Sequence, residues 1–237
     1  MQTLTDQRIL VVGGSSGIGL AVARQAVTLG AAVTIAARSQ VKLDAALSQL
    51  GSEAVALVLD TGDEDAVEHL FAGNQSWDHI VVSAARTPTG AVRSLSLADA
   101  RVAMESKFWG AYRVARAAKI REGGSLTFIS GVLSVRPSAS SVLQGAINAA
   151  LEALARGLAL ELAPIRVNAV SPGLIATPLW SGMPQDKREA MFSDAARRLP
   201  ARRTGEAEDV ANAVMYLLIT PFATGSTIRV DGGGSIA

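Results

Sequence analysis

The chain has 237 residues, 49% of them hydrophobic and 18% charged, with 22 Lys+Arg against 21 Asp+Glu and a formal charge of +1. That length is one large domain with a full core at roughly 100–200 residues per domain, and the even charge lacks the basic excess of a nucleic-acid binder. Cysteine is absent, histidine is limited to His69 and His79, and neither a secretion leader nor a ~20-residue apolar span is visible, so a soluble cytoplasmic protein without disulfides, thiolate chemistry or a metal site is expected.

Short β-branched runs alternate with longer alanine-rich stretches. In chain order, strands are predicted at 9–12, 33–37, 54–59, 80–82, 126–129, 167–170 and 227–230. Helices are predicted at 17–29, 41–50, 66–72, 97–119, 141–162 and 207–218. Most of the runs are apolar throughout, as strands covered on both faces are. The alternation predicts an α/β fold: a doubly wound, Rossmann-type parallel sheet of about seven strands with helices on both faces, in a single domain over 1–237. The polar segment 178–203 falls between two strands. It is expected as a flap over the carboxyl edge of the sheet, with Leu179, Trp180, Met183, Met191 and Phe192 offering an adaptable apolar cover for substrate.

The first predicted strand runs into Gly13, Gly14, Ser15, Ser16, Gly17, Ile18 and Gly19, which open the first helix. Glycines in such a turn let backbone N–H groups approach a pyrophosphate, and the helix start aims its positive end at that charge. The spacing is G-x-x-x-G-x-G rather than G-x-G-x-x-G, and a tight turn with helix-packing glycines is the alternative reading. The second strand ends Ala37-Arg38-Ser39. An acidic residue near this point bonds the ribose 2′-hydroxyl of NAD, whereas an arginine accommodates a 2′-phosphate. Ala37 brings no carboxylate and Arg38 brings a guanidinium suited to phosphate, so NADP(H) is the expected cofactor, against a plain surface arginine.

These residues, with the C-terminal half, resemble the short-chain dehydrogenase/reductase family over nearly the whole chain. Leu59-Asp60-Thr61 is similar to the family's third-strand end, where an Asp contacts adenine. Val82-Ser83-Ala84-Ala85 stands in the place of its Asn-Asn-Ala-Gly. Residues 165–173 are similar to the sixth strand and its Pro172-Gly173 turn, and Asp231-Gly232-Gly233 to the chain end. The resemblance implies cofactor contacts from Gly13, Ser15, Ser16, Gly17, Ile18, Arg38, Ser39, Asp60, Thr61, Ser83, Ala84, Ala85, Asn148, Pro172 and Gly173. It also implies a carboxamide contact by the Ile175 backbone and a phosphate contact by Thr177. A homodimer or homotetramer is implied as well. Helix 148–162 offers two small-residue faces for it (Ala149, Ala153, Gly157 and Ala150, Ala155, Ala159), unless those alanines pack on the sheet alone.

The family's chemistry rests on an Asn, a Ser, and a Tyr followed four residues later by a Lys. The resemblance gives the Tyr the substrate proton and the Lys the lowering of its pKa and the nicotinamide ribose. The Ser bonds the carbonyl and the Asn positions a water. In the register set by helix 148–162, Gln144 stands at the Tyr and Asn148 at the Lys. The Ser falls on Gly131, beside Ser130, and Lys107 stands where the Asn is expected. Tyr112 and Tyr216 sit within other helices and read as core or interface aromatics.

Asn148 keeps the capacity to bond a ribose hydroxyl but carries no charge, and Gln144 orients a carbonyl without a proton to give. Lys107 is the one titratable group at the centre. Burial beside Phe108 and Trp109 would lower its pKa and make it a general acid or base, the alternatives being an anion contact or a solvent-facing amine. Ser130 and Ser134 are candidate hydroxyls unless the backbone satisfies them. Arg86 and Arg136 are expected at the same mouth, suiting an acidic substrate, or else are solvated loop charges. Lys107, Ser130, Gln144 and Asn148 thus form the expected catalytic set. The leading expectation is an NADP(H)-dependent oxidoreductase moving a hydride between the nicotinamide and a small carbonyl, imine or activated alkene. A non-catalytic NADP(H)-binding sensor or partner subunit, and a lyase or isomerase using Lys107 as base, remain the alternatives.

Overall fold

The first half of the chain lays down β1 (Arg8–Val12), α1 (Gly17–Thr28), β2 (Ala32–Ala37), α2 (Gln40–Leu50), β3 (Ala54–Val58), α3 (Glu64–Ala72) and β4 (Trp77–Val82). The computed structural model describes residues 3–73 and 75–237. Side-chain caps fix where α2 and α3 begin: Ser39 accepts from the Lys42 N–H and Asp63 from the Ala66 N–H. The second half runs α4 (Leu97–Ala103), a π-helical turn (Met104–Trp109), α5 (Gly110–Ala117), β5 (Ile120–Ile129), α6 (Val142–Glu161) and β6 (Arg166–Pro172). It closes with β7 (Ile175–Ala176), α7 (Gln185–Arg198), β8 (Gly205–Glu206), α8 (Ala207–Ile219) and β9 (Thr227–Val230).

Seven strands form one sheet in the order β3-β2-β1-β4-β5-β6-β9, with every neighbouring pair parallel. The fold is the single-domain, doubly wound α/β architecture that the alternation predicts. Leu20, Val22, Leu43, Val214 and Leu217 of α1, α2 and α8 fill one face. Val67, Phe71, Val114, Leu151 and Leu158 of α3, α5 and α6 fill the other. Burial on both faces is why the strands read as continuous apolar runs. The strand order reverses between β1 and β4, which opens a crevice at their carboxyl ends where such sheets take ligands. At the opposite edge His79 is buried, its ring nitrogens 2.8 Å from Ser125 Oγ and 2.8 Å from Gln7 Oε1. Burial, with the charge of Arg166, pulls its pKa to about 4, so it is a neutral packing histidine near pH 7. No helix among the described residues is long and apolar enough to cross a membrane.

Three elements differ from expectation. The helix predicted over 97–119 is broken by the π-helical turn and ends at Ala117, leaving Lys119 to donate to the carbonyls of Ala72 and Gly73. An i→i+5 turn inserts a residue and re-aims the side chains that follow its start. Here it sets Lys107 inward and Trp109 outward. β5 starts at Ile120 rather than 126, because its pairing with β4 resumes after a register shift between Trp77 and His79. Segment 178–203 contains a 14-residue helix, α7, that its polar sequence conceals; only Ala195 of it is fully buried. Its ends are joined by the parallel pair β7·β8, and Trp180 Nε1 donates to the Ile175 carbonyl at 2.9 Å.

Candidate active site

The turn after β1 is shaped by close contacts within the protein. Gly13 has φ 87° and donates its N–H to the Ala36 carbonyl at 2.7 Å. A Cβ on Gly13 would lie 2.5 Å from the Ala84 nitrogen, and one on Gly14 2.7 Å from Ile35. Glycine is therefore required for the turn to seat between the ends of β2 and β4. Ser16, the N-cap of α1, makes no side-chain cap bond, and the first turn holds no acidic residue. The leading N–H groups of α1 thus have no side-chain cap among the described residues, at the positive end of the helix. Thr177 stands beside them, 3.4 Å from where a Cβ on Gly17 would be. The fold so joins the two separate stretches 13–19 and 172–177 into one ledge.

Around that ledge, Arg38 is exposed at the end of β2. Among the described residues its guanidinium has no hydrogen bond or ion pair to protein. Ser39 caps α2, and Asp60, exposed after β3, accepts from the Gly62 N–H at 2.9 Å through one oxygen. Ser83 is half-buried, its N–H bonded to the Val12 carbonyl at 2.8 Å; Ala84 abuts Gly13 and Ala85 is exposed. Ser15 and Ile18 are half-buried. The Gly173 N–H donates to the Val230 carbonyl at 2.9 Å, which fixes the turn after Pro172. Thr61 departs from expectation. Its side chain is turned against Gly110, with Oγ1 2.6 Å from the position of a missing Cβ, and its carbonyl accepts from Arg113.

Deeper in the crevice, three of the four expected catalytic residues touch. Lys107 Nζ donates to the Ser130 carbonyl at 2.8 Å and to Asn148 Oδ1 at 2.7 Å. The π-helical turn presents the lysine, the end of β5 the carbonyl and α6 the amide. Two of the three ammonium donors are thereby fixed and the third remains to give. Lys107 is 8% exposed, and desolvation, opposed by the charge of Glu152, brings its pKa down to about 8. An amine that half-titrates there exchanges protons readily near neutral pH. Gln144 lies one helical turn before Asn148, and its side-chain oxygen is buried without a hydrogen-bond partner.

Glu152 and Gly131 complete the cluster, and sequence reasoning passed over the first and gave the second no role. Glu152 is one turn beyond Asn148 on α6 and its Oε1 accepts from Ser130 Oγ at 2.9 Å and Ser134 Oγ at 2.7 Å. Its i+4 spacing from Asn148 was the available signal. Gly131 lies against Asn148: a Cβ there would sit 2.7 Å from Nδ2.

Other expected members are elsewhere. Ser130 reaches Lys107 with its carbonyl while its hydroxyl lies 2.9 Å from Glu152 Oε1 and 3.2 Å from the Val170 carbonyl, so that hydroxyl is satisfied inside the protein. Arg136 donates to the carbonyls of Gly234 and Ala237 rather than pointing into the crevice. Arg86 is exposed after β4, its backbone N–H donating to Ser106 Oγ at 2.7 Å, and its guanidinium makes no bond to protein among the described residues. Trp109 and Tyr112 are 43% and 41% exposed and pack on the half-buried Phe108, which itself meets the core, so Trp109 does not help to bury Lys107 as expected. Neither Tyr112 nor Tyr216 makes a hydrogen bond through its phenol among the described residues.

Comparison with known proteins gives a consistent picture. Residues 12–235 match the family described as enoyl-(acyl carrier protein) reductase. The chain is 33% identical to the short-chain dehydrogenase/reductase ucsE of Acremonium sp., over 99% of this chain and 97% of that one. Among solved structures, a small-chain dehydrogenase in complex with NADPH is 38% identical with TM-score 0.87, covering 98% of this chain and 100% of the other. The MalC reductase/Diels-Alderase of Malbranchea aurantiaca is 27% identical with TM-score 0.88, over 97% and 96% of the two chains.

Proposed function

The chain belongs to the short-chain dehydrogenase/reductase family, and on that premise we propose that it is an NADP(H)-dependent oxidoreductase in which Lys107 handles the substrate proton. Bound NADPH would supply a hydride to a small carbonyl, imine or activated alkene. The ledge fits such a group. The close-packed glycines leave the outer side of the turn bare, the uncapped start of α1 suits a pyrophosphate, and Arg38 has no protein partner to compete with a 2′-phosphate. Gly13, Ser15, Ser16, Gly17, Ile18 and Thr177 would hold the phosphates. Arg38 and Ser39 would hold the 2′-phosphate, and Asp60 the adenine amine. Ser83, Ala84, Ala85, Pro172, Gly173 and Ile175 would line the nicotinamide end, with Thr61 shaping the wall from behind.

The observation that carries the reading is the buried ammonium of Lys107 held by the Ser130 carbonyl and Asn148 Oδ1. Its third N–H is the proton to be given to the substrate, and Asn148 fixes the direction in which it points. The unpartnered oxygen of Gln144 offers a bond to a ligand donor. The flap 178–203, hinged by β7·β8, covers the substrate with Met191 and Phe192. Such chemistry is assayed by NADPH consumption across ketones, aldehydes, imines and enones. Turnover with at least one class is expected. Tight NADPH binding with no turnover of any class would move the reading to a cofactor sensor.

Cofactor choice is tested at Arg38. A charge-assisted bond to a phosphate is worth about 1.5–3 kcal/mol, so Arg38→Asp should weaken NADPH binding by roughly 10- to 100-fold and leave NADH no weaker. Equal NADPH affinity in the variant would refute the role given to Arg38.

Assembly as a homodimer or homotetramer is part of the same proposal. Ala149, Ala153 and Gly157 of α6 are exposed, as are Trp109 and Tyr112, whereas Ala155 and Ala159 are buried in the core. Light scattering should return a multiple of the 24.5 kDa chain mass, which Ala153→Glu should lower; a monomer from the outset contradicts it.

A further inference from the structure

The proton chemistry proposed for Lys107 leaves a buried charge beside its own pocket unused. Glu152 is 8% exposed, one turn along α6 from Asn148, and both face the lysine's pocket. Ser130 joins the two charges: its carbonyl accepts from Lys107 Nζ at 2.8 Å while its hydroxyl donates to Glu152 Oε1 at 2.9 Å. Ser134, on the turn after β5, adds a second donor to the same oxygen at 2.7 Å. A hydroxyl spends its only proton in such a bond. Ser134 and, at the shorter of its two bonds, Ser130 therefore give their protons inside the protein, to Glu152, the Val170 carbonyl being the second acceptor of Ser130 at 3.2 Å.

Other charges near this pocket are engaged or turned outward. On the lysine's own helix, Glu105 pairs with Arg113 at 2.5 Å. From the loop after β5, Arg136 is tied to the carbonyls of Gly234 and Ala237. Arg86, after β4, and Arg156, one turn beyond Glu152 on α6, are exposed. Among the described residues, Glu152 is the charge that acts on Lys107. An unopposed ammonium in a dehydrated pocket would give up its proton to water well below its ordinary range.

We propose that Glu152 is a positioning residue for Lys107: its carboxylate is the countercharge that keeps the buried amine protonated, and through Ser130 it fixes where that amine sits. The proposal rests on Lys107 as the proton-handling group, but its test does not require turnover. It also gives a physical reason for two hydroxyls and a carboxylate to be buried together behind the site, where an apolar filling would cost less.

The chain has four lysines (Lys42, Lys107, Lys119 and Lys187), so isotope-labelled lysine ε-carbons give a readable NMR spectrum. The Lys107 resonance is the one missing from Lys107→Met. In the wild-type chain it should titrate at about pH 8. In Glu152→Gln, which keeps the shape and an acceptor but removes the charge, it should titrate about one pH unit lower or more. Glu152→Asp should restore it. The alkaline fall in NADPH-dependent turnover should move with the resonance. A merely structural Glu152 would lower stability and leave the resonance where it was, and that result overturns the proposal. A second measurement needs no variant. With labelled glutamate, the Glu152 carboxylate resonance of the wild-type chain should shift at the same pH as Lys107; a Glu152 signal flat through that titration would also overturn it. If the resonance moves as expected and Lys107→Met still turns over normally, the assignment of Glu152 as countercharge stands and the acid role of Lys107 falls.

Discussion

Lys107→Met should lower NADPH-dependent turnover by about 10²–10⁴-fold, the range over which a positioned general acid contributes. NADPH binding should change little, since the ledge of Gly13–Gly19 and Arg38 lies on other loops. The variant removes the group with a transferable proton and keeps a flexible apolar chain of similar length. A distinct signature appears in stability against pH. The folded-state pKa of Lys107 is pulled down from 10.5 to about 8. Between those values the unfolded chain binds the proton and the folded chain does not, so folding becomes more favourable as pH rises through that window. The difference is about 3 kcal/mol. It is a cost carried in full below pH 8 and gone above pH 10.5. Denaturant midpoints of the wild-type chain, referred to Lys107→Met at each pH, should therefore rise between pH 8 and 10.5. A wild-type chain that tracks the variant across that range would show a lysine with an ordinary pKa and no role of this kind.

The second large effect belongs to Gly131. Its φ of 163° is extended backbone open to any residue, so the constraint there is contact and not conformation. A Cβ would fall 2.7 Å from Asn148 Nδ2 and 3.3 Å from its Cγ. The amide cannot slide away freely, because its other end holds Lys107 at 2.7 Å and Lys107 in turn is bonded to Ser130. Gly131→Ala is expected to cost about 1–3 kcal/mol in stability, the usual consequence of overpacking. Displacement of the ammonium should also cost about 10- to 100-fold in turnover. In an Asn148→Ala background the clash disappears, so the stability penalty of Gly131→Ala should fall nearly to nothing while turnover stays low. Additive penalties in the double variant would mean that the two positions do not interlock. The implication is that Lys107, Gly131 and Asn148 form one packing solution and that restoring any one alone to the family's residue would fail.

Much of the frame is legible from pattern alone. Strands such as 9–12 and 167–170 are unbroken apolar runs, and a strand buried on both faces has no other way to read. The turn 13–19 announces itself because only glycine tolerates the approach of Ala84 and Ile35, which makes the residue type itself the signal. Lys107 and Asn148 were findable only through the family resemblance, as the residues standing where its Asn and Lys are expected. What stayed hidden depends on tertiary packing. The π-helical turn that aims Lys107 inward has no composition of its own. Glu152 looks like any helical glutamate until Ser130 and Ser134 are seen to close on it. Arg136 follows a strand at its carboxyl end, as a substrate-binding residue would, yet the chain's own tail occupies it. The helix within 178–203 carries too few apolar residues to show a stripe, and its support comes from i,i+4 partners such as Asp194 and Arg198.

On the proposed reading a buried lysine, in place of a phenol, supplies the proton in an NADPH-dependent reduction. The pH dependence of turnover on a simple carbonyl probe, with NADPH saturating, tests it most directly. Turnover should show a plateau below about pH 8 and a fall approaching tenfold per pH unit above it, with the break absent in Lys107→Met. A rate that stays level from pH 8 to pH 10, or a break that survives in Lys107→Met, would contradict it.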